Sequence, residues 1–210
     1  MERIKQPLSI RIIYWFTQII FWLFVLVFVA AIAFNIALLT ENLGDTMQLH
    51  TALPVEVNYT EKGILEIGAI NQEVEFVDAI GKLHFINTNK DLAKWFGGAV
   101  VATIGIFLYI FIMFKRFIGN VYRGFVFERF NIRMLKNIAY GLVVLWFFSV
   151  VYSALFYYFI AKQLTFEHLE ITSKYDDSFG FLLVIALFLW VLSHIFMNGV
   201  HLQEEQKLTV

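Results

Sequence analysis

His194, Asn198, His201 and Glu205 fall at helical spacing near the C-terminus and can share one face of a helix, as metal ligands do. The spacing argues against a single ion. Seven residues separate the two histidines, about 10.5 Å along a helix, whereas a zinc–nitrogen bond is about 2 Å. His194 is instead expected to hydrogen-bond a neighbouring helix, with pH sensing as the alternative. A second cluster lies at 115–136, where Lys115, Arg116, Arg123, Arg129, Arg133 and Lys136 face one acid, Glu128. A helix opening near Glu128 would put Arg129, Arg133 and Lys136 on one face and Ile132, Leu135 and Ile138 on another. Such a basic face can touch anionic lipid or, with Glu205 in the tail, dock a cytoplasmic partner. Direct nucleic-acid binding is not expected of so short a patch beside long apolar runs. Asp177 or Ser178 reads as a helix N-cap rather than Asp176-Asp177 as a cation site. No cysteine is present, which excludes thiolate metal sites, disulfides and cysteine nucleophiles. Nucleophile elbow, HExxH and phosphate-binding glycine loop are all missing. No catalytic residue, metal or cofactor is therefore expected.

The elements that position these residues follow from composition. Hydrophobic residues make up 60% of the chain and charged ones 16%, against roughly half and a quarter in soluble domains. Lipid-facing helices account for such an excess, because they need no polar outer face. Uncharged runs at 12–40, 95–114, 137–161 and 179–200 are each long enough for a helix across a hydrocarbon core of about 30 Å. The first is too long for the apolar region of a signal peptide and is expected to stay as an anchor. Gly98, Ala102 and Gly105, with Gly97 nearby, form a small-residue face, expected to pack inside the bundle rather than in a dimer seam.

Between the first two runs, 41–94 alternates as strands do. Val55, Val57 and Tyr59 interleave with Glu56, Asn58 and Thr60, and Val74 and Phe76 with Glu73 and Glu75. Turn signals at Glu61-Lys62-Gly63, Asn71-Gln72 and Ile80-Gly81 divide the segment into four or five short antiparallel strands. A sheet of this size has a thin core and is expected to rest on the helix ends or the membrane surface. The segment 162–178 is a polar loop in which 164–171 can add a strand. The fold class is thus membrane α-helical, with four transmembrane helices and a small antiparallel β insertion between helices 1 and 2.

Charge sets the orientation. Bases dominate the arm 1–11 and the connection 115–136, and acids dominate 41–94 and 162–178. Short Lys/Arg-rich loops stay in the cytoplasm, so both the arm and the tail 201–210 are expected inside. The spans hold no Asp, Glu, Lys or Arg, which argues against ion-coupled transport.

Two stretches resemble a bacterial membrane family, domain of unknown function 2975. Gly124-Phe125-Val126-Phe127, followed by Asn131, Leu135 and Ile138, resembles the family's Gly-x-x-Phe turn and its helix-opening Asn. Phe196, Gly199, Leu202, Glu204 and Glu205, then Leu208-Thr209-Val210, are similar to its ending, Phe-x-x-Gly-x-x-Leu-x-Glu-Glu and Leu-Thr-Val. The sequence departs at Gln206-Lys207, at His194 and at Met197-Asn198. The resemblance implies no reaction, and it implies a small helix-turn-helix regulator as a cytoplasmic partner. The expected role is regulatory or sensory and non-catalytic, with a transporter or pore for a small solute, or a structural subunit, as alternatives. A homo-oligomer is compatible with the sequence.

Overall fold

The computed structural model describes residues 7–40, 51–67, 70–85, 88–166, 170–171 and 179–208. Four helices dominate: α1 (Leu8–Leu39), α2 (Lys90–Tyr122), α3 (Arg129–Phe159) and α4 (Gly180–Leu208). All four are long and apolar enough to cross a membrane. Each is longer than the roughly 20 residues that a bilayer requires, because polar residues at the ends of the apolar runs continue the helix. α2 begins at Lys90, where the Asn89 side chain accepts a hydrogen bond from the Asp91 amide at 3.0 Å. It then carries Lys115 and Arg116 within its last two turns. The connection to α3 shrinks to the six residues 123–128.

The helices pack in chain order, α1 on α2, α2 on α3 and α3 on α4. Gly97 and Gly105 of α2 meet Asn35 and Phe28 of α1. A Cβ on Gly97 would lie 2.6 Å from Asn35 Oδ1, whereas nothing lies within 4 Å of one on Gly98. The close approach thus uses part of the expected small-residue face, and Gly98 is not in it. The α3–α4 core holds Ile138, Ala139, Leu142, Leu145, Leu182 and Ala186. The buried hydroxyls of Thr17 and Ser193 are satisfied within their own helices: Thr17 donates to the Ile13 carbonyl at 2.7 Å and Ser193 to that of Trp190 at 2.6 Å. With no water in the bilayer core, such groups must find partners locally.

The β insertion differs from the expected four or five strands. It is one long hairpin, β1 (Thr51–Ile67) against β2 (Ile70–Phe85), joined by a short β3 (Glu170–Ile171) in the order β2-β1-β3. The two glycines read as turn signals sit inside strands. Gly63 lies opposite Val74, and Gly81 opposite Val55, where its missing side chain leaves room for Val57. A bulge sets Tyr59 and Thr60 of β1 against Val77 alone. Apolar residues change side along β2: Val74 and Phe76 share one face, Leu83 and Phe85 the other. The half nearer the helices is half-buried at Val55, Val57, Leu83 and Phe85, while Leu65, Val74 and Phe76 beyond the bulge are exposed. Phe85 rests on Phe96 of α2 with ring centroids 5.5 Å apart, which seats the sheet on a helix end. β3 pairs antiparallel with β1, Val57 opposite Ile171 and Asn58 opposite Glu170. Asp176, Asp177 and Ser178 lie outside the described residues.

Candidate functional site

The opposite end of the helices gathers most of the residues singled out in the sequence. α2 stops at Gly124, whose φ of 89° is open to glycine and strained for other residues. The Gly124 amide donates to the Val121 carbonyl and the Phe125 amide to that of Asn120, both at 3.0 Å. Together they close the helix in a Schellman motif. α3 opens at Arg129 after Glu128, and its Ile132, Leu135 and Ile138 are buried.

Asn131 is the pivot of this turn. Its side chain is wholly buried and every arm is used. The amide nitrogen donates to the carbonyls of Phe125 at 2.6 Å and Val126 at 2.9 Å. Its oxygen accepts from Asn120 Nδ2 at 2.9 Å. Asn131 therefore clamps the 123–128 connection and ties α3 to α2. An apolar seat lies next to it. The Phe127 ring packs on Phe196 of α4 at 5.5 Å, and Phe196 packs on Phe117 of α2 at 6.0 Å. Gly199 makes the seat possible, since a Cβ there would fall 2.6 Å from Phe127 Cδ1. On the outside, Arg129 Nη2 donates to both carboxylate oxygens of Glu204, at 3.0 and 3.1 Å. This exposed pair is worth little on its own, but it spans α3 and α4 beside the Phe127 seat.

Gly124, Phe127, Asn131, Phe196 and Gly199 thus meet in one cluster, although Phe127 and Gly199 stand 72 positions apart on the chain. The carboxylate that meets Arg129 is Glu204; Glu205, singled out in the sequence, is exposed one residue further on. Arg133 is exposed and Lys136 half-buried on α3. Leu202 is exposed on α4, Leu208 closes that helix, and Thr209 lies outside the described residues. His194 is exposed, with its ring edge-on to Trp190 of its own helix at 5.9 Å. Among the described residues it makes no hydrogen bond to a neighbouring helix, because the buried position is taken by Ser193. No group of three metal-ligating side chains occurs among the described residues.

Two contributors were not singled out in the sequence, Asn120 and Phe117, and Glu204 was read only as part of the family-like ending. Asn120 carried a usable signal, an amide in an otherwise apolar stretch a few residues before a helix-stopping glycine. Lys115 was counted only as a loop base. In the structure it belongs to α2, with its ammonium 3.5 Å from the centre of the Phe21 ring and 5.7 Å from that of Trp22. This cation–π contact anchors α1 to α2.

The arrangement holds helices together and presents charge; among the described residues it places no nucleophile beside a base. No curated protein and no solved structure matches the chain. A family model described as a protein of unknown function, DUF2975, matches residues 80–210, which takes in the end of β2 and all of α2, α3 and α4. The clamp at Asn131 and the seat at Gly199 both lie within that match, and this multi-pass membrane protein belongs to the DUF2975 family.

Proposed function

We propose that the chain is a non-catalytic regulatory or sensory component of a bacterial inner membrane. The β hairpin is its input side, and the end carrying Arg129, Arg133, Lys136 and Glu205 is its cytoplasmic output side. The observation that carries this reading is that the chain is held on both sides of α4. Upstream of it, β3 pairs with β1; near its C-terminus, Phe127 sits over Gly199 and Arg129 holds Glu204. A displacement of the hairpin has a packed route through Phe85, Phe96 and α2 to the basic end of α3, and a covalent one through β3 and α4 to the tail. The charge distribution supports N- and C-termini inside, because the basic connection is short. The partner at the output side is a small soluble regulator of the helix-turn-helix kind that the family resemblance implies. Its contact would use the exposed Arg133 together with Arg129, Lys136 and the acids of the tail.

Co-purification from native membranes tests this. Intact protein should retain a soluble partner that the triple variant Arg129→Gln, Arg133→Gln and Glu205→Gln releases. Retention of the same proteins by both, or of no soluble protein by the intact chain, would count against the proposal.

A further inference from the structure

The flank of the α2–α3 pair that faces away from α4 carries two stripes the helix packing leaves unused. Met113 faces Asn137 of α3, with its sulfur 3.9 Å from Nδ2, and Asn120 meets Asn131. Phe117 reaches Phe196 of α4. These contacts order the sides of α2. Going round the helix past Met113, away from Phe117, come Tyr109, Arg116 and Arg123, spaced by seven residues. On α3, Ile138 and Leu142 pack towards α4, and the flank away from α4 carries Arg133 and Tyr140, again seven apart. The two stripes lie side by side and antiparallel. Arg116 stands opposite Met134 and Leu135 by this register, so Arg116 and Arg133 are offset by only about 2 Å along the axes. Tyr109 and Tyr140 form a second level: Tyr109 Cδ1 lies 3.7 Å from the Cβ position of Gly141. That level is about 10.5 Å nearer the middle of the span.

All four of these side chains are exposed, the tyrosines at 44% and 56%. Lys115 is committed to Phe21 and Trp22 and Arg129 to Glu204. Among the described residues neither Arg116, Arg123 nor Arg133 has an ion-pair partner. From this placement the geometry points to a binding site for one anionic phospholipid, in the leaflet on the side of the α2–α3 connection. The phosphate sits between the Arg116 and Arg133 guanidinium groups, which bind phosphate through paired N–H donors. Tyr109 and Tyr140 lie at the glycerol level, where amphipathic rings are favoured, and the acyl chains follow the exposed Val144 and Phe147. Charge complementarity selects an anion. Position selects a lipid, because the tyrosine level lies along the side of the helices, where a soluble protein does not reach.

The test uses the purified full-length chain in mild detergent, titrated with phosphatidylglycerol or phosphatidylcholine and read by native mass spectrometry. The intact protein should retain one phosphatidylglycerol in preference to phosphatidylcholine. Arg116→Gln with Arg133→Gln should weaken that binding about thirtyfold, and either change alone about fivefold, at about 1 kcal/mol for each base near the surface. Arg129→Gln with Lys136→Gln removes the same charge elsewhere at this end and should leave binding unchanged. The singles serve if the first double variant does not fold. Equal loss in both double variants would overturn the site in favour of diffuse attraction. No preference between the lipids, or full displacement by glycerol 3-phosphate at lipid-equivalent concentration, would overturn it as well. Arg133 is shared with the docking proposal and Arg116 is not, so the Arg116→Gln single variant, read with no soluble partner present, makes this site fail or stand apart from that proposal.

Discussion

Replacing Asn131 tests whether the turn between α2 and α3 is held by one buried amide. Its three hydrogen bonds join it to the Phe125 and Val126 carbonyls and to the Asn120 amide. Asn131→Ala removes all three and strands their partners. A buried polar group left unsatisfied costs about 1–3 kcal/mol. Phe125 is half exposed, so water can reach its carbonyl, and the low end applies there. The expected total for Asn131→Ala is about 3 kcal/mol. Asn131→Asp keeps the shape but turns a donor into an acceptor facing two carbonyl oxygens. It should cost more than alanine despite the smaller change in volume. Equilibrium unfolding of the purified chain in mixed micelles, followed by circular dichroism, measures both. In a double-mutant cycle, Asn120→Ala and Asn131→Ala should couple by about 1 kcal/mol or more, as residues in one hydrogen-bond network do. If Asn131→Ala lies within about 0.5 kcal/mol of the parent, or aspartate is no worse than alanine, the clamp does not hold the turn.

Gly199→Ala should destabilise by about 1–3 kcal/mol, the usual cost of overpacking. Most of that cost should vanish in a Phe127→Ala background, because the ring it collides with is gone; an undiminished cost in the same unfolding assay would contradict the seat. Gly97→Leu should push α1 off α2 through Asn35, while Gly98→Leu, with open space around it, should not. Disulfide formation between Tyr14→Cys and Tyr122→Cys reads this out, since those rings stack at 4.4 Å and the chain has no cysteine of its own. The Gly97 variant should cross-link more slowly and the Gly98 variant at the parental rate.

The helical part of the fold was legible because a charge-free run of bilayer length has few other uses. Its ends were not, since a helix does not stop where charge begins: Asn89 caps α2 ahead of Lys90, Asp91 and Lys94, and Lys115 lies within its last turns. The hairpin was legible as alternation but not as two long strands. Gly63 and Gly81 serve cross-strand packing there, and the same glycines read equally well as turns. The bulge at Tyr59 and Thr60 is invisible in one strand alone, because it is defined by the partner's register. At the opposite end, the burial of Ile132, Leu135 and Ile138 follows from their spacing. The choice of Glu204 for Arg129 does not. It depends on the rotation of α4, which the contact of Phe127 with Gly199 fixes from a distant part of the chain.

The central claim is that the sheet and the α2–α3 end are coupled through α4, and one cross-link addresses it directly. Val57 and Ile171 stand opposite one another in antiparallel strands, where Cα atoms lie about 4.5–5.5 Å apart, within the range of a disulfide. Val57→Cys with Ile171→Cys can therefore lock β3 onto β1 in the full-length chain. Hydrogen exchange, compared between the oxidised and reduced forms, should slow in the lock at the sheet and also at 124–133 and 199–208. Slowing confined to the sheet would contradict the account.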